Sequence, residues 1–204
     1  WSFTTREFLS EACYYPPVEK CGDTDMQILT SGPLGEWKEI AISFLKAIAN
    51  ARECIYIQTP YFLPTDSLLK ALQAAALAKV DVRLMIPSHS DSRLLQYASQ
   101  SYLKEILRAG IKVYFYQGGF LHAKSLIIDN EFSSLGSTNF DFRSFDHNFE
   151  INAFLYSPET NAQMKKIFIN DMRQCRRITL SRWKRRPLAT KVAESFARLM
   201  SPIL

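Results

Sequence analysis

His122 and Lys124 are two residues apart in an apolar segment, residues 121–129, that has the composition of a β-strand. Alternate side chains of a strand project to the same face of its sheet, so the sequence predicts an imidazole beside an ammonium group. An imidazole can act as a nucleophile or as a general acid and base, and a cation stabilises developing negative charge. Asp129, seven residues from His122, would point to the other face, so we expect it at the following turn with a different partner.

A polar segment follows this strand and a second, shorter one. It holds Gly136, Ser137 and Asn139, and Glu150 lies at the start of the next apolar run. Loops of this composition can bind anions. The residues alone leave open whether His122 and Lys124 are catalytic or are ordinary polar residues of a strand.

Residues 121–129, 136–144 and 148–150 together resemble the second HKD half of the phospholipase D superfamily. Within that superfamily the chain is most similar to the bacterial cardiolipin synthases, and residues 59–64, 143–145 and 198–204 also carry this similarity. The resemblance extends from about Ser31 to the end of the chain.

The resemblance implies a set of catalytic residues, namely His122, Lys124, Asp129, Asn139 and Glu150. His122 would form a phosphohistidine or transfer protons, and Glu150 would accept a hydrogen bond from its second ring nitrogen and fix its tautomer. Lys124, Ser137 and Asn139 would bind the substrate, with Lys124 and Asn139 stabilising charge on its nonbridging oxygens. This chemistry requires no cofactor and no metal ion.

The leading functional interpretation is a phosphatidyltransferase that joins two phosphatidylglycerol molecules and releases glycerol. One alternative is a hydrolase of the same superfamily, either a phospholipase D or a phosphodiesterase that cleaves nucleic acid. Another alternative is a non-catalytic module that binds anionic lipid or nucleic acid. Because the HKD residues of this half are complete, the non-catalytic module is disfavoured. The similarity to cardiolipin synthases implies a phospholipid substrate, so nucleic acid is not the expected partner.

An in-line displacement needs a second histidine, because one group attacks phosphorus while another protonates the leaving oxygen on the opposite side. Neither His89 nor His147 is followed by a lysine two residues later, so only His122 fits the motif. We therefore expect a second HKD half upstream in the same polypeptide or, less favoured, a homodimer partner. Trp1 is an unusual natural start, which also predicts a fragment of a longer chain.

Charge is distributed unevenly along the chain. The net charge is +5, and residues 173–198 contain nine basic residues and one acid, Glu194. This basic segment predicts contact with an anionic membrane surface. Four cysteines without metal-ligand spacing indicate a reducing compartment, and the expected location is the cytoplasmic face of the bacterial cell membrane, with any anchor outside this chain.

Helical and strand-like patterns alternate along the chain and predict an α/β fold, a mixed β-sheet sandwiched by helices. We expect a connector or edge segment at 1–30, a phospholipase D-like catalytic half at 31–180 and a basic helical segment at 181–204. Predicted helices begin near Glu39 and Asp66 and cover 91–109 and 158 to about 175, and the last helix carries an apolar stripe. Predicted strands cover 54–58, 80–86, 111–116, 121–129, 131–135 and 149–156.

Overall fold

A computed structural model describes residues 5–200 and has helices on both faces of a large β-sheet. The strands are β1 (Met26–Ser31), β2 (Cys54–Gln58), β3 (Phe62–Leu63), β4 (Asp81–Pro87), β5 (Lys112–Tyr116), β6 (Ser125–Ile128), β7 (Phe132–Gly136), β8 (Phe140–Asp141), β9 (Glu150–Leu155) and β10 (Cys175–Ile178). The α-helices are α1 (Glu39–Asn50), α2 (Asp66–Leu77), α3 (Arg93–Ala109), α4 (Phe142–Asp146), α5 (Pro158–Asp171), α6 (Leu180–Lys184) and α7 (Leu188–Met200). Short 3₁₀ turns cover Ala12–Tyr14 and Met172–Gln174.

The main sheet has eight strands in the order β1-β9-β7-β6-β2-β4-β5-β10, and β3 pairs with β8 separately. Strands β2, β4 and β5 are parallel neighbours, whereas the remaining pairs of the main sheet are antiparallel. The predicted mixed sheet is therefore confirmed. The carboxyl ends of β1, β2, β4, β5 and β7 meet the amino ends of β6 and β9 at one edge, which we call the motif edge.

Apolar side chains of the central strands alternate between two cores, as the period of a strand requires. Ile55 and Ile57 of β2 face the larger core beneath α1, α2 and α3, whereas Tyr56 faces α5. The ring of Tyr56 stacks on Phe168 of α5, with 4.8 Å between ring centroids. The sheet is thus covered on both faces, as the alternation of elements predicted.

Local signals in the sequence fix several helix ends. Gly110 follows α3 with φ of 99°, and its N–H donates to the carbonyls of Ile106 and Leu107. Glycine adopts this left-handed conformation without the steric cost that a Cβ adds, so the predicted helix end is confirmed. Ser157 caps α5 by accepting a hydrogen bond from the N–H of Thr160, ahead of Pro158 in the first turn.

An ion-pair network lies on the α5 side of the sheet. Asp81 accepts hydrogen bonds from Arg83 Nη2 at 2.5 Å and from Lys112 Nζ at 2.7 Å. Burial alone would raise the pKa of Asp81, but the hydrogen bonds and charges of the two cations outweigh it and hold the pKa below the ordinary 3.8. Arg83 also lies over the ring of Tyr56, 4.8 Å from its centroid.

Strand β1 and the last two helices complete the sheet and its covering layer. Strand β1 forms the sheet edge beside β9, so an edge strand crosses residues 30 and 31, where the sequence predicted a domain boundary. Helices α6 and α7 pack on α3 at the other side of the molecule. In the part of the chain that the structure describes, no helix has the length and apolarity needed to cross a bilayer.

Candidate active site

His122 and Lys124 lie at the motif edge, in the segment that leads into β6. The prediction that both lie within a strand is wrong, because residues 121–124 are unpaired and β6 begins at Ser125. Ser125 pairs with Gln58, the last residue of β2. Two residues after Gln58 comes Pro60, which has no N–H with which to extend the ladder. Residues 121–124 therefore have no strand to pair with on that side.

The Lys124 side chain is tied to the backbone of His122. Lys124 Nζ donates a hydrogen bond to the carbonyl oxygen of His122 at 3.0 Å. The His122 ring is exposed and stacks on Phe120, with 5.5 Å between ring centroids and 29° between planes. An exposed imidazole supported on one side by an aromatic ring remains accessible to a substrate from the other side.

Lys124 is half-buried and provides a partly desolvated cation at the site. Burial lowers the pKa of its ammonium group below the ordinary 10.5, and the charges of Glu150 and Asp141 act in the opposite direction. A small cavity between β2, β6 and β8 is lined by Lys124 together with Thr59 and Thr138. A cation with fewer water contacts interacts more strongly with an anionic ligand than a fully solvated one.

Glu150, the first residue of β9, is buried and accepts hydrogen bonds through both carboxylate oxygens. Ser137 Oγ donates to Oε2, and Asn148 Nδ2 donates to Oε1 at 3.1 Å. Ser137 is itself fastened to β9, because its N–H donates to the carbonyl of Ile151 at 3.0 Å and its Oγ accepts from the N–H of Ile151 at 3.0 Å. The structure brings Ser137 and Glu150 together, whereas within residues 5–200 no hydrogen bond joins Glu150 to the His122 ring.

Asn139 follows the turn after β7 and lies close to the same edge. Its N–H donates to Ser144 Oγ at 3.1 Å, which fixes the backbone, while its side-chain Oδ1 is buried and has no partner among the described residues. Buried polar atoms are normally hydrogen-bonded, so Oδ1 is an acceptor open to a donor group of a ligand, whereas the same side chain already hydrogen-bonds the carboxylate of Asp141.

Asp129 lies at the opposite end of β6 from Lys124. Its carboxylate accepts the backbone N–H groups of Arg52 at 2.9 Å, Glu53 at 2.8 Å and Cys54 at 2.8 Å, just before β2. The expectation that it sits at the turn with a different partner is confirmed. The four residues of β6 lie between it and Lys124, which places the two about 16 Å apart at the usual rise of a strand, so the structure does not bring Asp129 together with the other motif residues.

Two further polar residues at the motif edge were not assigned from the sequence. Asp141 is buried and caps α4, accepting the N–H of Ser144 at 2.7 Å, and burial raises its pKa above the ordinary 3.8. Asn152 Oδ1 accepts from Thr138 Oγ1 at 2.7 Å, which ties the loop before Asn139 to β9. Asn152 lies two residues after Glu150 on one strand face, and this spacing is a signal that could have identified it.

An open cavity of about 470 Å³ adjoins the site at the ends of β4 and β5. Ser88, His89, Asp91 and Phe120 are among its lining residues, so it reaches the ring that supports His122. A cavity of about 500 Å³ lies at the other end of the sheet, near Asp129 and α1. Among residues 5–200 no group of three or more His, Cys, Asp or Glu side chains could hold a metal ion.

The geometry can support phosphoryl or acyl transfer at an exposed imidazole. His122 is the accessible nucleophile or proton carrier, Lys124 is the adjacent cation, and the Asn139 amide is a neutral polar group with an unsatisfied atom. The buried Glu150 and Asp141 carboxylates lie close enough to Lys124 for their charges to favour its ammonium form. An anionic substrate at this edge would face the Lys124 cation.

Comparison with known proteins agrees with this geometry. Residues 44–172 match the protein family described as "Cardiolipin synthase, PLD-like domain". The chain is 42% identical over all 204 residues to cardiolipin synthase 2 of Staphylococcus epidermidis, and 43% identical over 191 residues, 94% of the chain, to the major cardiolipin synthase ClsA of Bacillus subtilis. It covers 42% of the first and 40% of the second, so the chain spans about two fifths of the length of these relatives.

Two solved structures share the fold. Nuc of Salmonella typhimurium, a phospholipase D family member, matches 77% of this chain and 99% of its own with a TM-score of 0.64 and 24% identity. The phosphatidylserine synthase of Haemophilus influenzae matches 92% of this chain and 49% of its own with a TM-score of 0.70 and 18% identity. At these identities the likeness concerns the fold alone.

Proposed function

Because the chain belongs to the family of cardiolipin synthases with a phospholipase D-like domain, we propose that it is a catalytic half of a phosphatidyltransferase. The reaction moves a phosphatidyl group from one phosphatidylglycerol to the glycerol hydroxyl of another and releases glycerol. The observation that carries this proposal is the identity of 41–43% to cardiolipin synthases along nearly the whole chain, with His122, Lys124 and Asn139 at one edge.

The proposed reaction proceeds in two displacements at phosphorus. In the first, an imidazole nitrogen bonds to phosphorus as the bond from phosphorus to the glycerol oxygen breaks, and a second histidine protonates the leaving oxygen. In the second, that histidine takes the proton of the incoming phosphatidylglycerol hydroxyl, whose oxygen bonds to phosphorus as the phosphorus–nitrogen bond breaks. His122 supplies one of the two imidazoles and, by its exposure, can fill either role.

The neighbours of His122 take supporting roles in this proposal. Lys124 and Asn139 bind the nonbridging oxygens and stabilise the charge that develops in the transition state. Ser137 and Glu150, which hydrogen-bond each other, hold the edge of β9 beside the site, and Ser137 contributes to substrate binding. Asp129 keeps β6 in register with the start of β2 and acts on the site through the fold.

A second HKD half completes the site in this proposal. The relatives are more than twice as long as this chain, which leaves room for such a half in the same polypeptide. Apolar side chains are exposed on the sheet face opposite to the Glu150 side chain, at Ile28 of β1, Leu135 of β7 and Ile151 of β9. The registers place these three residues on one face, which favours a protein surface there over solvent. A homodimer partner is the less favoured alternative.

Phosphatidylglycerol is a membrane lipid, so the working location we propose is the cytoplasmic face of the bacterial cell membrane. An anionic membrane surface is then the third partner, beside the lipid substrate and the second half. The basic segment at residues 173–198 fits a negatively charged surface of this kind.

Product analysis tests the proposed reaction. The intact longer enzyme is incubated with phosphatidylglycerol labelled in its acyl chains and its headgroup, and the lipids and soluble products are separated. Labelled cardiolipin with free glycerol supports transfer, and this activity is expected to survive excess chelator. Phosphatidic acid as the main lipid product would show that the enzyme hydrolyses phosphatidylglycerol and does not transfer its phosphatidyl group. Release of nucleotides from nucleic acid with no lipid product would overturn the proposal.

A second experiment tests the need for two histidines. The 204-residue chain alone is purified, its mass in solution is measured, and lipid turnover is assayed. We expect a folded protein without turnover. An active monomer would refute the two-histidine requirement, and an active dimer would favour the homodimer over an upstream half.

A further inference from the structure

Helix α7 turns its apolar side away from the protein. Leu188, Val192, Phe196 and Leu199 follow one another at intervals of four, four and three residues, which places them on one stripe. Their side chains are 60–78% exposed, whereas the residues of α7 buried against the protein are Glu194 and Ala197. A surface helix normally faces the core with its apolar stripe, so this orientation is the reverse of the usual one.

Polar contacts hold α7 in this orientation. Arg186 pairs with the buried carboxylate of Glu194 through two hydrogen bonds, one of them between Nη2 and Oε2 at 2.8 Å. Arg198 Nη2 lies 3.1 Å from Glu105 Oε2 of α3, and its guanidinium lies over Tyr102, 4.3 Å from the ring centroid. Turning the stripe inward would leave the buried Glu194 carboxylate without its partner, which is costly in a protein interior.

The stripe lies in a strongly basic part of the chain. Nine of the ten charged residues between 173 and 198 are basic, and the one acid, Glu194, is already neutralised by Arg186. Arg182, Lys184 and Arg185, just before α7, are exposed. An outward apolar stripe on a helix that follows directly on exposed basic residues, which form its cationic border, is the pattern of an interfacial helix that lies in the headgroup layer of a membrane.

We propose that α7 docks on an anionic phospholipid surface, with Leu188, Val192, Phe196 and Leu199 inserted at the boundary of headgroups and acyl chains. Two features of the surface select this partner: the stripe requires an apolar medium, and its border requires negative charge beside that medium. A bilayer containing phosphatidylglycerol offers both. The inference does not depend on which phosphodiester the site cleaves, so membrane binding and catalysis are tested separately.

The first test measures binding of the chain to sedimenting vesicles of phosphatidylglycerol and phosphatidylethanolamine. The double variant Val192→Gln with Phe196→Gln is expected to bind about 10–100-fold more weakly, because two inserted apolar side chains are lost. Leu77→Gln is the matched control, since Leu77 of α2 is 67% exposed but lies outside the stripe, and its binding is expected to equal that of the parent. Circular dichroism verifies that each variant is folded.

A second pair of measurements separates charge from insertion. Replacing Arg182, Lys184 and Arg185 with Gln is expected to weaken binding to anionic vesicles on the order of 10²-fold at low salt, and much less at high salt. In a Phe196→Trp variant, vesicles with brominated acyl chains are expected to quench the added tryptophan, so the quenched fraction of the total fluorescence should exceed that of the parent protein. This readout reports depth and does not involve turnover.

Three results would overturn the inference. The first is a parent chain that does not bind anionic vesicles, and the second is a set of stripe variants that bind as tightly as the parent. The third is a parent that forms a dimer in solution which the stripe variants lose, because the stripe would then cover a second copy of the chain. An enzyme inactive on phosphatidylglycerol whose stripe still inserts would leave this inference intact and refute only the proposed reaction.

Discussion

Asp129 offers a sharp test of whether each residue of the HKD motif contacts substrate. In the structure its carboxylate accepts three backbone N–H groups at 2.8–2.9 Å and has φ of 54°, the left-handed region. We expect Asp129→Asn to lower stability without changing the reaction. The carboxamide keeps one oxygen for Glu53 and Cys54 and loses the acceptor for Arg52, and asparagine tolerates the left-handed conformation.

The size of the effect follows from the number of hydrogen bonds lost. A hydrogen bond to a charged group contributes about 1.5–3 kcal/mol, so the loss of one bond and of the charge predicts about 2–3 kcal/mol for Asp129→Asn. Asp129→Ala loses all three bonds, and alanine also lacks the short polar side chain that makes the left-handed conformation tolerable for aspartate and asparagine. Since whole domains are stable by only about 5–15 kcal/mol, the alanine variant should be largely unfolded.

Denaturant unfolding of the chain and turnover of the intact enzyme are measured on the same Asp129→Asn substitution. We expect a lower midpoint with an unchanged slope, and turnover within about threefold of the parent at 25 °C, where the variant is still folded. Glu131→Gln, an exposed position of the same turn, is the control and should change stability by less than about 0.5 kcal/mol. An Asp129→Asn variant with the parent's stability but turnover reduced more than a hundredfold would refute a purely structural role.

Three further predictions concern the sheet and its motif edge. Hydrogen bonds and ion pairs depress the pKa of Asp81 in the folded state, so the stabilisation they give is present above pH 3.8 and is lost as the pH falls through the folded pKa. Asp81→Asn should therefore lower the free energy of unfolding by about 1–2 kcal/mol at pH 7 in denaturant unfolding. The difference from the parent should vanish in acid. Because burial lowers the pKa of Lys124, the alkaline fall of kcat/KM should occur below pH 10.5 and move to higher pH in Lys124→Arg. Gly136→Ala should cost about 1–3 kcal/mol in denaturant unfolding and lower turnover about tenfold, because its Cβ would meet Asn152 of β9.

Matched measurements decide each of these predictions. A pH-independent loss in Asp81→Asn would mean that packing, and not the ion pairs, sets its contribution. An alkaline limb that stays in place in Lys124→Arg would assign that limb to another group. Gly22→Ala is the control for Gly136, since nothing lies within 4 Å of a Cβ there, and equal effects at both glycines would remove the steric argument.

Local signals in the sequence were sufficient for most of the sheet. Strand β2 matches the predicted 54–58, because a fully buried apolar run stops before Pro60, and Gly110 marks the end of α3 by its left-handed conformation. The short strands β3, β8 and β10 were not predicted. Each depends on a partner strand distant in sequence, which no local period reveals.

The features of the site that the sequence did not predict depend on contacts between residues distant in the chain. Residues 121–124 have the composition of a strand, but β2 ends at Gln58 opposite Ser125 and β7 ends at Gly136, one residue further, and only the register shows this. The turn at Asp129 was predictable, whereas its backbone partners before β2 were not. Likewise, helical spacing predicts one stripe on α7 without predicting that the stripe faces outward. The boundaries at 30 and 180 and the catalytic roles of the site residues stay predictions.

The substitution His122→Ala in the intact enzyme tests the central claim most directly, with cardiolipin formation from phosphatidylglycerol as the measured rate. His147→Ala is the matched control, because His147 is also exposed and lies beyond α4 without a following lysine at the same spacing. The account predicts a loss on the order of 10³-fold or more for His122→Ala in a folded protein, and a rate close to that of the parent for the control. A folded His122→Ala enzyme that forms cardiolipin at near the parent rate would contradict the account.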